Sequence, residues 1–174
     1  MIETGTGLGK TVAKLFAKTK TIIHTHNQCG DETVVVRAED ILDVMAYLRD
    51  SEEMKFDLMM DLTAVDYLND PDLQPYLRKM KTRFEVVYHL YSMEKNHRLR
   101  VKVPLAEDKL EINSVTSLWR GADWFEREAF DLYGVKFLGH PNLKRILLYE
   151  EFKGHPLRKD YPKTKRQPLI GPRN

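Results

Sequence analysis

Two hydrophobic rhythms run along the chain. In residues 84–92, Phe84, Val86, Tyr88 and Leu90 alternate with Glu85, Val87, His89 and Tyr91. In 98–103, Leu99, Val101 and Val103 alternate with Arg98, Arg100 and Lys102. A period of two puts each set on one side of a pleat, so both segments are predicted strands of a sheet with one wet face, joined at MEKNH. TIIHTH (21–26) and TVVVR (33–37) predict another strand pair across a short polar connection, and 56–65 a further strand. The second rhythm is helical. Ile41, Leu42, Met45 and Leu48 set a helix over 38–49, with Glu39 and Asp40 in the first turn, where the dipole favours acids. ADWFEREAFDLY (122–133) predicts a second helix, with Gly134 placed for a left-handed cap. Val12, Leu15 and Phe16 predict a short amphipathic helix over 11–17, and the polar, two-proline stretch 69–81 reads as an excursion from the sheet. Helices segregated from hairpins give an α+β class, a mixed or antiparallel sheet with helices packed on it.

Composition narrows the functional classes. The 174 residues suit one domain, and 42% apolar with 31% charged residues is an ordinary globular mixture. No apolar run approaches the roughly 20 residues of a membrane span, and the start MIETGTGLGKTVAK lacks a signal-peptide core. With the single cysteine Cys29, the expectation is a cytosolic chain with no redox centre held by its own thiolates. The net charge of +2 conceals a division. From Phe152 to Asn174 seven basic residues face one acid, Asp160, a net +6 that leaves residues 1–151 at −4. That stretch also holds four of the eight prolines, which fix φ and keep the preceding residue extended. The expected organisation is therefore a domain over 1–151, with 1–10 a flexible leader, and an extended Pro-rich basic arm over 152–174 that docks on a partner subunit.

Two apparent motifs carry little. GTGLGKT resembles a phosphate-cradling loop, but Thr4 stands where the first glycine is required and no strand precedes it. His24 and His26 share a strand face, and His89 and His97 flank the hairpin, yet nothing nearby completes three or four converging ligands. Cys29 lacks the flanking cations that mark a reactive thiolate. No catalytic, cofactor-binding or metal-binding residue is assigned.

The informative region lies further on. Phe137-Leu-Gly139-His140-Pro141 recurs as Phe152-Lys-Gly154-His155-Pro156, each glycine permitting a positive φ and each histidine held extended before proline. The pair reads as a repeated turn that redirects the chain. Before it stand Glu126, Arg127, Glu128 and Asp131 among Trp124, Phe125, Phe130 and Tyr133, with Arg127 and Asp131 at i,i+4. Exposed pairs of this kind contribute only about 0.3–0.5 kcal/mol. The run reads either as a solvated helix face or as a partly buried ion-pair network that fixes how the following turns and arm leave the domain; since stability gives little reason for it, specificity of docking is the better hypothesis.

EREAFDLYGVKFLGHPNLKRIL (126–147) closely resembles the signature of the C-type subunit of respiratory NADH:quinone oxidoreductase, complex I, and GHPLRKDYP (154–162) resembles that family's C-terminal block. The resemblance implies a peripheral-arm subunit that holds no flavin or iron–sulfur cluster, although the whole complex uses FMN, Fe–S clusters and quinone. Electron transfer and proton translocation would belong to the complex, with no catalytic site on this chain. Implied partners are the D-type quinone-cavity subunit and neighbouring Fe–S subunits, at the cytoplasmic face of a bacterial or archaeal plasma membrane and touching it only indirectly. The chain ends at Asn174 and not in a fused larger partner, so a separate polypeptide is expected.

The resemblance assigns the docking surface to Glu126, Arg127, Glu128, Asp131, Tyr133 and Gly134, and to the turn Gly139-His140-Pro141 with Arg145. From the second block it adds Gly154, His155, Pro156, Leu157 and Arg158, followed by Lys159, Asp160, Tyr161 and Pro162. Equivalent subunits of membrane-bound [NiFe] hydrogenases and ferredoxin-linked complexes are the rival reading. Nucleic-acid binding is a remote one, because the arm has one aromatic beyond Phe152 and the body is acidic.

Overall fold

The computed structural model describes residues 7, 12–13, 21–70 and 73–168. Apart from Gly7, the phosphate-loop lookalike, like most of the 11–17 helix, lies outside the described residues. Five strands form one sheet: β1 (Ile22–His26), β2 (Thr33–Val36), β3 (Leu58–Asp66), β4 (Phe84–Ser92) and β5 (His97–Leu105). Their order is β1-β2-β5-β4-β3. β1–β2, β4–β5 and β3–β4 pair antiparallel, whereas β2 and β5 run parallel. The sheet is therefore mixed, and the α+β class holds. The MEKNH hairpin aligns Ser92 with His97, so the registers of β4 and β5 put Phe84, Val86, Tyr88 and Leu90 beside Leu105, Val103, Val101 and Leu99 on one face.

That face makes the main core. Helix α1 (Ile41–Asp50) lays Ile41, Val44, Met45 and Leu48 on it, and α3 (Ala122–Tyr133) adds Ala122 and Ala129. α1 starts through a single 3-10 turn over Ala38–Asp40. The alternation in β4 and β5 thus carries the burial that drives folding, at about 25 cal/mol per Å² of apolar surface.

The structure departs from the sequence reading at three places. The 69–81 excursion contains a short helix, α2 (Pro75–Met80), with Pro75 in its first turn, where the missing N–H costs nothing. α2 packs Tyr76 and Leu77 on Val35, so the second face of the sheet is covered at one end instead of wet throughout. There Glu85 is fully buried, accepting Tyr76 Oη at 2.6 Å and Tyr67 Oη at 2.8 Å, with Lys102 Nζ at 3.2 Å. Thirdly, β6 (Glu111–Asn113) and β7 (Lys136–Leu138) form a small parallel pair that the sequence reading lacked. This pair brings the end of α3 and the first Gly-His-Pro turn back against the domain.

Candidate functional site

The site is built around the C-terminal half of α3. The helix stops at Gly134, whose φ of +81° is the left-handed cap that the sequence called for, with its N–H bonded to Phe130 O at 2.9 Å. A helix end leaves its last carbonyls without partners inside the helix. Here the second Gly-His-Pro block supplies them. His155 Nδ1–H donates to Asp131 O at 2.9 Å, Leu157 N–H to Leu132 O at 3.2 Å, and Arg158 Nε–H to Tyr133 O at 2.6 Å. An arginine at this end also complements the helix dipole. The fit is close: a Cβ on Gly134 would lie 2.6 Å from Arg158 Nη2 and 2.7 Å from His155 Nε2.

The carboxylate of Asp131 organises the loop between the two turns. Its Oδ2 accepts three successive backbone N–H groups, Ile146 at 3.1 Å, Leu147 at 2.9 Å and Leu148 at 2.8 Å. Its Oδ1 takes Arg145 Nη1 at 2.6 Å. Burial works to raise the pKa of Asp131, but the Leu148 and Leu147 amides and the Arg145 guanidinium outweigh it and hold the group below the usual carboxylate range. Arg127 does not pair with Asp131, despite their i,i+4 spacing. It donates to Lys144 O at 3.1 Å and Arg145 O at 3.2 Å, so both side chains reach across to the same strap. Arg145 Nη2 continues to Gly154 O at 3.3 Å, tying the loop to the second turn.

A second anchor lies at the end of β3. Asp66, buried in the domain, receives Arg83 through two parallel bonds of 2.8 and 2.7 Å, and also the backbone N–H of Lys159 at 2.8 Å. Burial opposes ionisation of Asp66, yet the Arg83 fork and the Lys159 and Leu68 amides pull its pKa down. Arg83 also meets Asp160 at 2.9 Å. Beyond this point Tyr161 stacks on Phe152 at 6.1 Å and lies where a Cβ on Gly154 would come within 2.9 Å of its ring. Gly154 has φ +106°, so glycine is required there twice over. Gln167 closes the strap by bonding the Tyr161 hydroxyl and accepting Lys153 N–H at 3.1 Å. The described part of the basic arm therefore lies on its own domain through residue 168.

The first turn uses the same backbone for a different purpose. Gly139 has φ +80°. His140 Nδ1 accepts Asn142 N–H at 3.0 Å, which leaves the proton on Nε2, and that nitrogen faces Asp123 O at 3.3 Å. His155 carries its proton on Nδ1, so the two copies hold opposite tautomers at opposite ends of α3. Pro141 is exposed.

Of the residues singled out by sequence, Arg127, Asp131, Tyr133, Gly134, Arg145, Gly154, His155, Leu157 and Arg158 converge. Glu126 points the other way, fully buried in the core, while Glu128, Lys159 and Pro162 are exposed. Pro156 is half-buried behind the turn. Elsewhere, His97 bonds Met54 O at 2.7 Å and His24 stacks on Tyr76 at 5.3 Å, both packing roles. Asp66 and Arg83 were missed, since each is an ordinary strand-end charge until the register Asp66–Phe84 brings them together. Large apolar side chains in this region are exposed: Trp124 68%, Leu147 62%, Leu157 49% and Leu138 48%.

Comparison with known proteins decides the family. The model of the respiratory-chain NADH dehydrogenase 30 Kd subunit matches residues 34–167, from β2 through the last strap contacts. The chain belongs to that family. It is 49% identical over 134 residues to the C subunit of NADH-quinone oxidoreductase from Citrifermentans bemidjiense, covering 76% of this chain and 75% of the relative. To the same-named protein of Trichlorobacter lovleyi it is 43% identical over 162 residues, covering 93% and 91%. A solved trypsin-resistant fragment (1–134) of Nqo5 superposes with a TM-score of 0.64 at 31% identity, covering 78% of this chain and all of that one. A chain of an archaeal membrane-bound sulfane sulfur reductase superposes with a TM-score of 0.65 at 25% identity, covering 89% and 85%. The match runs from within β2 to the described end of the strap and leaves β1 outside it.

Proposed function

We propose that this chain is a cofactor-free structural subunit of the peripheral arm of a proton-translocating NADH:quinone oxidoreductase. It docks beside the D-type quinone-cavity subunit on the cytoplasmic side of a bacterial or archaeal plasma membrane. One observation carries the reading: Arg127, Asp131, Arg145, His155 and Arg158 of the signature are used within the chain, where they latch a strap across the end of α3. Large apolar groups of the same region, Trp124, Leu147 and Leu157 among them, stay exposed. Exposed apolar patches mark interaction sites, and an exposed tryptophan is the residue type most often an interface hot spot. The latch residues act one step removed, by holding those anchors in place. A single cysteine agrees with a chain that holds no iron–sulfur cluster. The NADH:quinone reading is favoured over the hydrogenase- and ferredoxin-linked rivals because relatives at 43–49% identity are named NADH-quinone oxidoreductase subunits, against 25% for the sulfane sulfur reductase chain. Among the described residues no helix is long and apolar enough to cross a membrane, so attachment would run through partners.

The test replaces Trp124 and Leu147 by Ala in the full chain expressed within its complex. Both are exposed, so unfolding of the isolated subunit should change by less than about 0.5 kcal/mol. Co-purification of the large subunit, and NADH:quinone activity with it, should fall roughly tenfold or more. Assembly at wild-type yield would remove the basis for the docking surface.

A further inference from the structure

The latch accounts for the end of α3 but not for the strand that α3 lies against. β3 (Leu58–Asp66) is an edge of the sheet and pairs with β4 alone. An antiparallel strand bonded on one side leaves the N–H and C=O of alternate residues pointing outward. Among the described residues, the backbone of 58–65 makes no hydrogen bond except to β4. β1, at the opposite edge, is five residues long, whereas β3 is nine. After a bulge at Met60, Asp61–Asp66 runs in unbroken register with β4. At about 3.4 Å per residue this is roughly 20 Å of open edge. Proteins blunt such edges with bulges, charges or proline, or cover them, because they are templates for another strand. Here the bulge and Asp61 guard one end only, and residues 62–65 are Leu-Thr-Ala-Val.

We propose that β3 receives an extended segment of the partner subunit as a sixth strand, with apolar side chains over Leu58 and Met60 and a lysine or arginine against Asp61. The inference rests on the reading of this chain as a docked subunit, and it names how the partner is held. The open backbone decides the kind of occupant, since another extended backbone is what supplies donors and acceptors at the spacing of a strand edge. The side chains decide its chemistry. Leu58 and Met60 are 41% and 45% exposed, and Met60 walls a groove on the second face of the sheet with His89 and Tyr91, beyond the end that α2 covers. Asp61 enters no ion pair among the described residues and stands opposite His89. The position of the edge agrees with the docking surface. It ends at Asp66, where Lys159 N–H pins the strap, and it runs along α3, which carries Trp124. A second copy of this chain is the poorer occupant, because its β3 would bring another Asp61 to the same short edge, and like charges opposed across a strand pair are destabilising.

The experiment is amide hydrogen exchange resolved by residue, on the full chain alone and within its purified complex. Alternate amides of 61–66, those turned away from β4, should exchange fast in the isolated chain and slow at least roughly a hundredfold in the complex. The amides already bonded to β4 should change much less. Met60→Lys combined with Asp61→Lys puts two cations on the edge. Because both positions are at least partly exposed, the isolated variant should melt within a few degrees of the wild type, while its recovery in the complex should fall roughly tenfold. A complex that contains the chain but lacks the alternating protection would overturn the added strand and leave the docked-subunit reading standing. Recovery of the chain without partner subunits would overturn both. Protection in the isolated chain that grows with its concentration would assign the edge to a second copy, against the proposal. Wild-type assembly of the double variant would overturn the cation against Asp61.

Discussion

Substituting the glycine at the end of α3 tests whether the strap is part of the fold or merely lies on it. Gly134 and Gly139 have almost the same backbone, at φ +81° and +80°. An alanine at either must adopt a left-handed conformation, which costs about 1 kcal/mol. They differ in what a Cβ meets. Around Gly139 nothing lies within 4 Å, whereas at Gly134 the new carbon would press on Arg158 Nη2 at 2.6 Å and His155 Nε2 at 2.7 Å. Arg158 can swing aside only by abandoning Tyr133 O, and His155 only by lengthening its bond to Asp131 O. A hydrogen bond from a charged donor contributes about 1.5–3 kcal/mol and a neutral one about 1 kcal/mol. Gly134→Ala should therefore cost about 3–5 kcal/mol and Gly139→Ala about 1 kcal/mol. The difference, about 2–4 kcal/mol, should appear as a melting temperature roughly 4–16 °C lower for Gly134→Ala than for Gly139→Ala. Brief trypsin treatment gives a second reading, since a released strap exposes the bond after Arg158 to cleavage before the sheet unfolds. Equal losses of stability in the two variants, with equal protease resistance, would show that the second block does not grip the helix end.

Two further substitutions probe the charged anchors. Asp131→Asn keeps an acceptor but replaces charge-assisted bonds by neutral ones, and should cost about 2 kcal/mol in urea unfolding, with faster amide exchange at residues 146–148. Because its folded pKa lies below the unfolded value of 3.8, the stabilisation from Asp131 should be complete above that pH and be lost as pH falls through the folded value. The variant should lack that acid-limb slope. Arg83→Met strands the buried Asp66 without its fork, which should cost about 3–5 kcal/mol, and Asp66→Asn in the same chain should recover part of it. Additive losses in the double variant would argue against the pair.

The parts of this fold that the sequence announces are those whose signal is local and repeated. β4, β5, α1 and α3 each present a run of periodic positions or a capping residue, and the structure places them close to expectation. β6 and β7 are three residues each, too short for alternation to register, and they pair across a long stretch of chain that includes all of α3. α2 was hidden because Pro75 reads as a breaker until it is seen to occupy the first turn. The parallel step between β2 and β5 is a long-range choice that no dipeptide encodes. In the site, both Gly-His-Pro copies were legible as turns, since glycine before an extended histidine is a backbone statement. Their targets were not. Nothing local tells His155 to cap a helix that ended well before it in the chain, or His140 to fold back on Asp123. The i,i+4 rule misled at Arg127 and Asp131 because it assumes that the side chains look at each other, whereas here a third segment competes for both.

The charge division now has a finer structure than a body of −4 and an arm of +6. The strap does not spend its cations evenly. Arg158 is turned onto the helix end, and the arm's one acid, Asp160, is consumed by Arg83. Lys153, Lys163, Lys165 and Arg166 stay exposed along the outer surface. The inward charges therefore fix where the strap lies, and the outward ones set what can approach it. A partner that meets a strap already latched at Asp131, Asp66 and the α3 carbonyls finds its backbone ordered, so less binding energy is lost to ordering at the interface. In the proposed docking, the exposed lysines would act where surface charge is most effective, on the rate and selectivity of encounter with an acidic surface. The exposed apolar groups Trp124, Leu147 and Leu157 would supply the hold that follows. On this division of labour, raising ionic strength should slow assembly much more than it speeds dissociation, whereas removing Trp124 should do the reverse.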